Sequence, residues 1–182
     1  MTGVDPASGS LGVARAKPGA ERVRWIHGDA TVLLPMQVDL ATMTANVAQA
    51  IVDQPDWEAT LRGVYDALRP GGHLVFETRD PAYRAWEQWN CAASYSSTLI
   101  EGVGEVQSRS ELTDVSGPLV SFRWTWVFAS DGKVLTSDST LRFRERDEVE
   151  AGLVAHGYVV HEVRDAPDRP GREFVFFARR SE

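Results

Sequence analysis

A single cysteine, Cys91, stands in the 182 residues. One thiol cannot close an intramolecular disulfide or build a thiolate zinc cluster. Long apolar runs are also lacking, and nothing approaches the ~18 residues of a membrane span. Basic residues are fewer than acidic ones, 19 against 26, which leaves a formal charge of -7 and an isoelectric point near 5.1. Long-range attraction to nucleic acid or to an anionic membrane is therefore not expected. The first residues, Met1 to Leu11, carry neither a basic region nor an apolar core of a signal peptide. A cytoplasmic protein is the expectation. His27, His73, His156 and His161 are dispersed, none in an H-x-x-x-H or H-E-x-x-H spacing, and no G-x-S-x-G elbow or phosphate-loop lysine occurs.

What is present is the composition of one globular domain. The chain is 43% hydrophobic and 25% charged, with six tryptophans, enough for one core and too short for two ordinary domains. The readings are a weak helix over Leu11–Lys17, a strand over Val23–His27 and a second apolar run over Val38–Thr44. The clearest helix places Trp57, Leu61, Val64 and Leu68 on one face, with Asp56 as its cap. Arg69-Pro70-Gly71-Gly72 stops it, and His73–Thr78 follows as a strand. Strand, helix, strand in that order predicts a parallel sheet.

After Asp80 the period changes. Pro81–Trp89 reads as a short helix, and Val106–Val115, Leu119–Ala129 and Lys133–Arg144 read as three strands. The middle one alternates, with Val120, Phe122, Trp124, Trp126 and Phe128 on one face and Ser121, Arg123 and Thr125 on the other. Asp131-Gly132 is a hairpin signal. Glu145–His156 then reads as a helix with Val149, Leu153 and Val154 inward and Gly157 as its stop. Tyr158–Arg164 and Arg172–Arg179 close the chain as an antiparallel pair. Residues 23–80 and 145–179 are thus expected in one mixed sheet, with 103–144 in a separate antiparallel layer.

Three spaced segments carry a resemblance. Asp5, in Thr2-Gly3-Val4-Asp5-Pro6, is an acid at the end of a strand-like run before a helix. Asp29, in His27-Gly28-Asp29-Ala30, is an acid after the next strand. Leu68-Arg69-Pro70-Gly71-Gly72-His73-Leu74-Val75 is a tight turn feeding a buried strand. In this order they resemble the class I S-adenosylmethionine (SAM)-dependent methyltransferases. The resemblance is close over residues 2–80, and the closing helix, strand, strand matches the family's antiparallel ending. It implies an α/β fold: a Rossmann-like, mostly parallel sheet with an antiparallel C-terminal strand. Residues 1–182 would form a single domain, with 81–144 as an inserted helix plus β-meander cap.

The resemblance implies SAM as cofactor, with Asp5 on the ribose hydroxyls, Asp29 near the adenine amino group, Ala30 beside the ring, and Thr44 lining the methyl-donor space. On the acceptor side it implies Asn46, and the inserted aromatics Trp86 and Trp124 as a substrate wall. Glu77, Asp80 and Tyr95 are base candidates, none assigned as catalytic. The family begins with a strand and a glycine-rich loop, whereas this chain opens at what would be the second strand, and no G-x-G-x-G occurs in it. An N-terminally truncated domain is implied, with unpaired strand edges where the first strand would lie and hence a homo-oligomer. Two functions fit: methyl transfer to an unknown small molecule, or a catalytically inactive remnant that dimerises or binds a small ligand. Neither involves nucleic acid or membrane.

Overall fold

Residues 2–5 and 24–27 meet because a short helix returns the chain between them. In the structure, a computed structural model that describes residues 1–33 and 36–182, strand β1 (Thr2–Asp5) leads through α1 (Ser8–Arg15) to β2 (Arg24–His27). The two strands pair in parallel, Asp5 opposite His27. Gly3 is required there, because a Cβ on it would lie 2.4 Å from the Trp25 ring. A 3-10 turn over Ala30–Val32 follows β2, capped by the Asp29 carboxylate.

Strand β3 (Val38–Met43) passes through α2 (Val47–Ala50) and α3 (Gln54–Ala67) to β4 (Leu68–Arg79). The crossover makes β3 and β4 parallel. The α3 helix begins at Gln54, with Asp53 at the N-cap position and Pro55 in the first turn, where a missing N–H costs nothing; Asp56 lies inside it. The expected Arg69–Gly72 turn bulges out of the ladder: Val38 faces Leu68, and the next pair is Leu40 with His73. Trp57, Leu61 and Val64 are buried against Leu74, Phe76 and Phe176.

Two 3-10 turns, Pro81–Tyr83 and Ala85–Gln88, replace the single helix read over Pro81–Trp89. Arg84 between them is left-handed (φ 52°), which no continuous helix tolerates. Next come α4 (Cys91–Ser94), β5 (Ser96–Ile100), β6 (Gly104–Ser116), β7 (Leu119–Phe128) and β8 (Val134–Arg142). The last four form an antiparallel sheet in chain order, so the expected separate layer is found, with β5 as a fourth strand. After it, α5 (Arg146–Ala155) leads to β9 (Tyr158–Asp165) and β10 (Glu173–Arg180). Val149 and Leu153 of α5 are buried as read, but Val154 is 62% exposed, one position round from that stripe. Gly157 takes φ 87° at the stop.

The order β3-β4-β10-β9 makes one four-stranded sheet, in which β10 is antiparallel to both neighbours. The expectation of one mixed sheet is corrected here: β1 and β2 form a separate two-stranded sheet. Nothing described hydrogen-bonds the outer edge of β1 to the outer edge of β3, and Leu40 on β3 is 55% exposed. What ties the small sheet to the large one is contact between the Ala30–Val32 turn and α3. A Cβ on Gly63 of α3 would sit 2.2 Å from the Ala30 carbonyl oxygen. Gly63→Ala is therefore expected to destabilise the protein by roughly 1–3 kcal/mol despite alanine's higher helix propensity. Urea unfolding tests this; a variant as stable as the parent would mean that the two sheets are not held together at this contact.

Candidate functional site

The candidate site starts from the carboxyl ends of the parallel strands, where α/β folds hold ligands. Asp5 ends β1, and its Oδ1 accepts the Ala7 N–H at 2.7 Å. Asp29 follows β2, and its Oδ1 accepts the Thr31 N–H at 2.8 Å and the Thr31 hydroxyl. These bonds, the hydroxyl's first, hold the Asp29 carboxyl below its ordinary pKa, so it is ionised and acts only as an acceptor at neutral pH. The Gly28 N–H donates to the Asp5 carbonyl at 3.1 Å, which fixes the two loops side by side. Each carboxylate thus has one oxygen anchored, and no described protein donor reaches the other. Ala30 is half-buried beside Asp29.

Past β3 the chain turns through Thr44-Ala45-Asn46. Ala45 (φ 59°) and Asn46 (φ 56°) are both left-handed without being glycine. Such residues cost about 1–3 kcal/mol each and persist only where the surroundings enforce them. Here the Asn46 N–H donates to the Glu77 carboxylate at 3.1 Å, and its side-chain amide donates to Glu173 at 3.2 Å. Asn46 is only 3% exposed and its Oδ1 has no described partner, while Thr44 and Ala45 are exposed. Gln49 in α2 accepts from Arg79 Nη1 at 3.0 Å, and Glu173 also accepts from Arg169 at 2.7 Å. Burial lowers the Arg79 pKa and Glu173 opposes that shift. Glu77, Arg79 and Glu173 thus form a braced polar cluster where β4 ends and β10 begins.

The aromatics lie on the far side of this cluster. The Trp86 and Trp89 rings pack on Phe143 at 4.5 and 6.1 Å, and Trp89 also meets Phe122 at 4.8 Å. Arg79 lies over Trp89 at 5.8 Å. Trp124 and Trp126 stack at 5.9 Å and are half-buried. On their face of the meander Trp124 stands between Ser110 and Ser137, and Trp126 between Ser108 and Leu135. Serines flank Trp124 on both sides and Trp126 on one, and both indoles stay partly exposed.

Of the residues singled out in the sequence, the fold brings Asp5, Asp29 and Ala30 together. Thr44 and Asn46 share one turn, and Trp86 belongs to a different cluster from Trp124. Among the base candidates, Glu77 is in the braced cluster, Asp80 caps the Pro81–Tyr83 turn through Ala82 at 2.8 Å, and Tyr95 is exposed. Sequence reasoning passed over Gln49, Glu173 and Arg144. A glutamate opening the apolar strand EFVFFA was the one available signal. No cluster of three or more metal-ligating side chains occurs among the described residues, and no described helix is long and apolar enough to cross a membrane. Two shallow depressions are present: one of about 370 Å³ between Thr31 and α3, next to the Asp29 turn, and another of about 690 Å³ between α5 and β9, away from these groups.

Comparison with known proteins gives this arrangement its class. Residues 1–72 match the methyltransferase domain family. No curated protein matches the sequence. Among solved structures, a SAM-dependent methyltransferase from Clostridium acetobutylicum superposes with a TM-score of 0.76 at 17% identity, over 100% of this chain and 75% of that one. SAM-bound CalS10, an amino pentose methyltransferase from Micromonospora echinaspora, gives 0.69 at 23% identity, over 99% and 73%. The sugar N-methyltransferase KedS8 from Streptoalloteichus gives 0.74 at 17%, over 100% and 71%. The chain has the class I SAM-dependent methyltransferase fold, a Rossmann-like α/β architecture with antiparallel strands added.

Proposed function

We propose that the protein binds SAM and transfers its methyl group to a small hydroxylated or amino-substituted ring compound of the sugar type. The observation that carries this reading is the pair Asp5 and Asp29, at the ends of two paired parallel strands, each with one oxygen anchored and one available. A ribose diol and an adenine amino group are donors, and these carboxylates are acceptors, so the residues suit the adenosine part of SAM. Ala30 would lie against the adenine and Thr44 beside the methyl donor. When bound, SAM supplies an electrophilic methyl on a sulfonium. The protein's part is to hold an acceptor in line with it, which by itself accounts for much of such a rate enhancement. Trp86, Trp124 and Asn46 belong to the acceptor side in this reading, with Asn46 acting from within the braced turn. A sugar ring suits the Trp124–Trp126 face, since its C–H face stacks on indole and its hydroxyls bond to serines; CalS10 and KedS8, with the same fold, act on sugars. Calorimetry with SAM, followed by transfer of labelled methyl to an amino-sugar panel, tests the proposal. An absence of binding heat at millimolar SAM would end it.

A second reading rests on the unpaired edges of β1 and β3. Open strand edges recruit other chains, and an apolar crevice left empty costs packing energy. The protein would then be a dimer or higher oligomer in which a partner's segment covers the space beside Val38–Met43. This fits a catalytic oligomer, and equally a non-catalytic protein that dimerises or binds a small ligand. Light scattering is expected to give at least twice the 20.1 kDa chain mass. A monodisperse 20 kDa species at all concentrations would rule the oligomer out.

A further inference from the structure

The segment from Thr44 to Val52 holds the strained turn and α2, and a four-residue helix has no stability of its own. Its shape must be imposed from outside. Glu77 and Glu173 hold Asn46, and Gln49 bonds to Arg79, so β4 and β10 brace one end. The other end is held by the exit of the meander. Arg144, two residues past β8, donates through Nη1 to the Ala48 carbonyl at 3.1 Å and through Nη2 to that of Ile51 at 2.8 Å. Arg142 adds a 3.4 Å bond to the Val52 carbonyl. These carbonyls lie in the last turn of α2 and just beyond it, where no intrahelical donor remains.

Arg144 is 3% exposed, and its guanidinium lies 4.7 Å from the Trp57 ring centroid. The nearest carboxylate is that of Glu148, 3.9 Å from Nε. Burial, and then the charge of Arg142, lower its pKa to about 10. A buried cation with so distant a counter-ion is costly to keep. Its surroundings are carbonyl oxygens and an indole face, which suit a planar fork of donors; lysine offers neither the fork nor the flat face.

We infer that Arg144 is a positioning residue that locks the Thr44–Asn46 turn to the exit of the meander, holding the turn and the aromatic sheet in one fixed frame. That this turn borders the methyl donor rests on the function proposed above; the lock itself rests on the contacts alone.

Hydrogen exchange tests it, read at the amides of Asn46, Val47 and Gln49, which bond to the Glu77 side chain and to the Thr44 and Asn46 carbonyls. The control is Leu153→Ala, in the same core and fully buried, with urea or temperature adjusted so that both variants have equal global stability. Arg144→Met should speed exchange at those three amides at least tenfold over the control, with β9 and β10 amides unchanged between them. Arg144→Lys should fall between, and it replaces Arg144→Met if that variant does not fold. SAM affinity should drop at least fivefold in Arg144→Met and hold within twofold in the control. Equal exchange in Arg144→Met and the control overturns the inference, as does uniform acceleration across the domain. A wild-type protein that binds no SAM removes the proposed function instead, and the exchange comparison still decides the lock.

Discussion

Phe76→Ala is expected to lose about 3–5 kcal/mol of unfolding free energy, the cost of deleting a large buried side chain that its neighbours cannot close over. Phe76 is 1% exposed at the centre of the four-stranded sheet. Its ring stacks on Phe176 with centroids 5.1 Å apart, and meets the Trp57 edge at 5.8 Å. One ring thus joins β4 to β10 and both to α3, and the neighbouring side chains Leu61 of α3 and Leu74 of β4 are also fully buried. Against a typical total of about 5–15 kcal/mol, this is at least about a fifth of the stability. Urea unfolding gives the value directly. Phe76→Leu, which keeps much of the volume, should cost clearly less. A loss under about 1 kcal/mol for the alanine variant would place the principal core elsewhere.

The second large effect concerns affinity. If the proposed function holds, Asp5→Ala and Asp29→Ala should each weaken SAM binding by roughly 1–3 kcal/mol, or about five- to 150-fold, because each would remove an acceptor for a neutral donor of the ligand. The two residues also have local roles, which stability measurements separate from binding. Asp29 caps the Ala30–Val32 turn, so Asp29→Ala should also cost on the order of 1 kcal/mol of stability. Asp29→Asn keeps an acceptor for the Thr31 N–H and should retain most of that stability. Asp5 closes only the turn to Ala7, so its loss should be felt mainly in binding. Unchanged SAM affinity in both alanine variants would remove the assignment.

Much of this was legible in the residues because it is local. The spacing of Trp57, Leu61 and Val64 marks α3, and all three are buried. The alternation through Phe122, Trp124 and Trp126 marks β7, and the two closing strands pair as read. Asp5 and Asp29 stood out because an acid directly after a strand is a pattern of a few residues. Ser96–Ile100 did not stand out: every residue of that strand is exposed, so no apolar period exists to read, and the chain is extended there because the β6 edge pairs with it. The break at Arg84 escaped for a similar reason, since a left-handed arginine has no sequence mark.

Taken alone, the sequence determined the longer elements, such as α3, β7 and the closing strands, and the apolar face of α3, because the periods of 3.6 and 2 repeat over a few residues. It also determined the bends at Gly71, Gly132 and Gly157, where a positive φ depends on the residue itself. Only the tertiary structure decided which partner covers each apolar face. Strand β10 lies about a hundred residues beyond β4 yet pairs with it along its length. The sheet divides between β1 and β3 although both strands read alike. Arg144, the last residue of what reads as a strand, is buried against Trp57 and donates to the carbonyls of Ala48 in α2 and of Ile51 just beyond it, some ninety residues earlier. Local periodicity says that a face must be buried; what buries it, and where a polar side chain finds its partner, depends on contacts between distant segments.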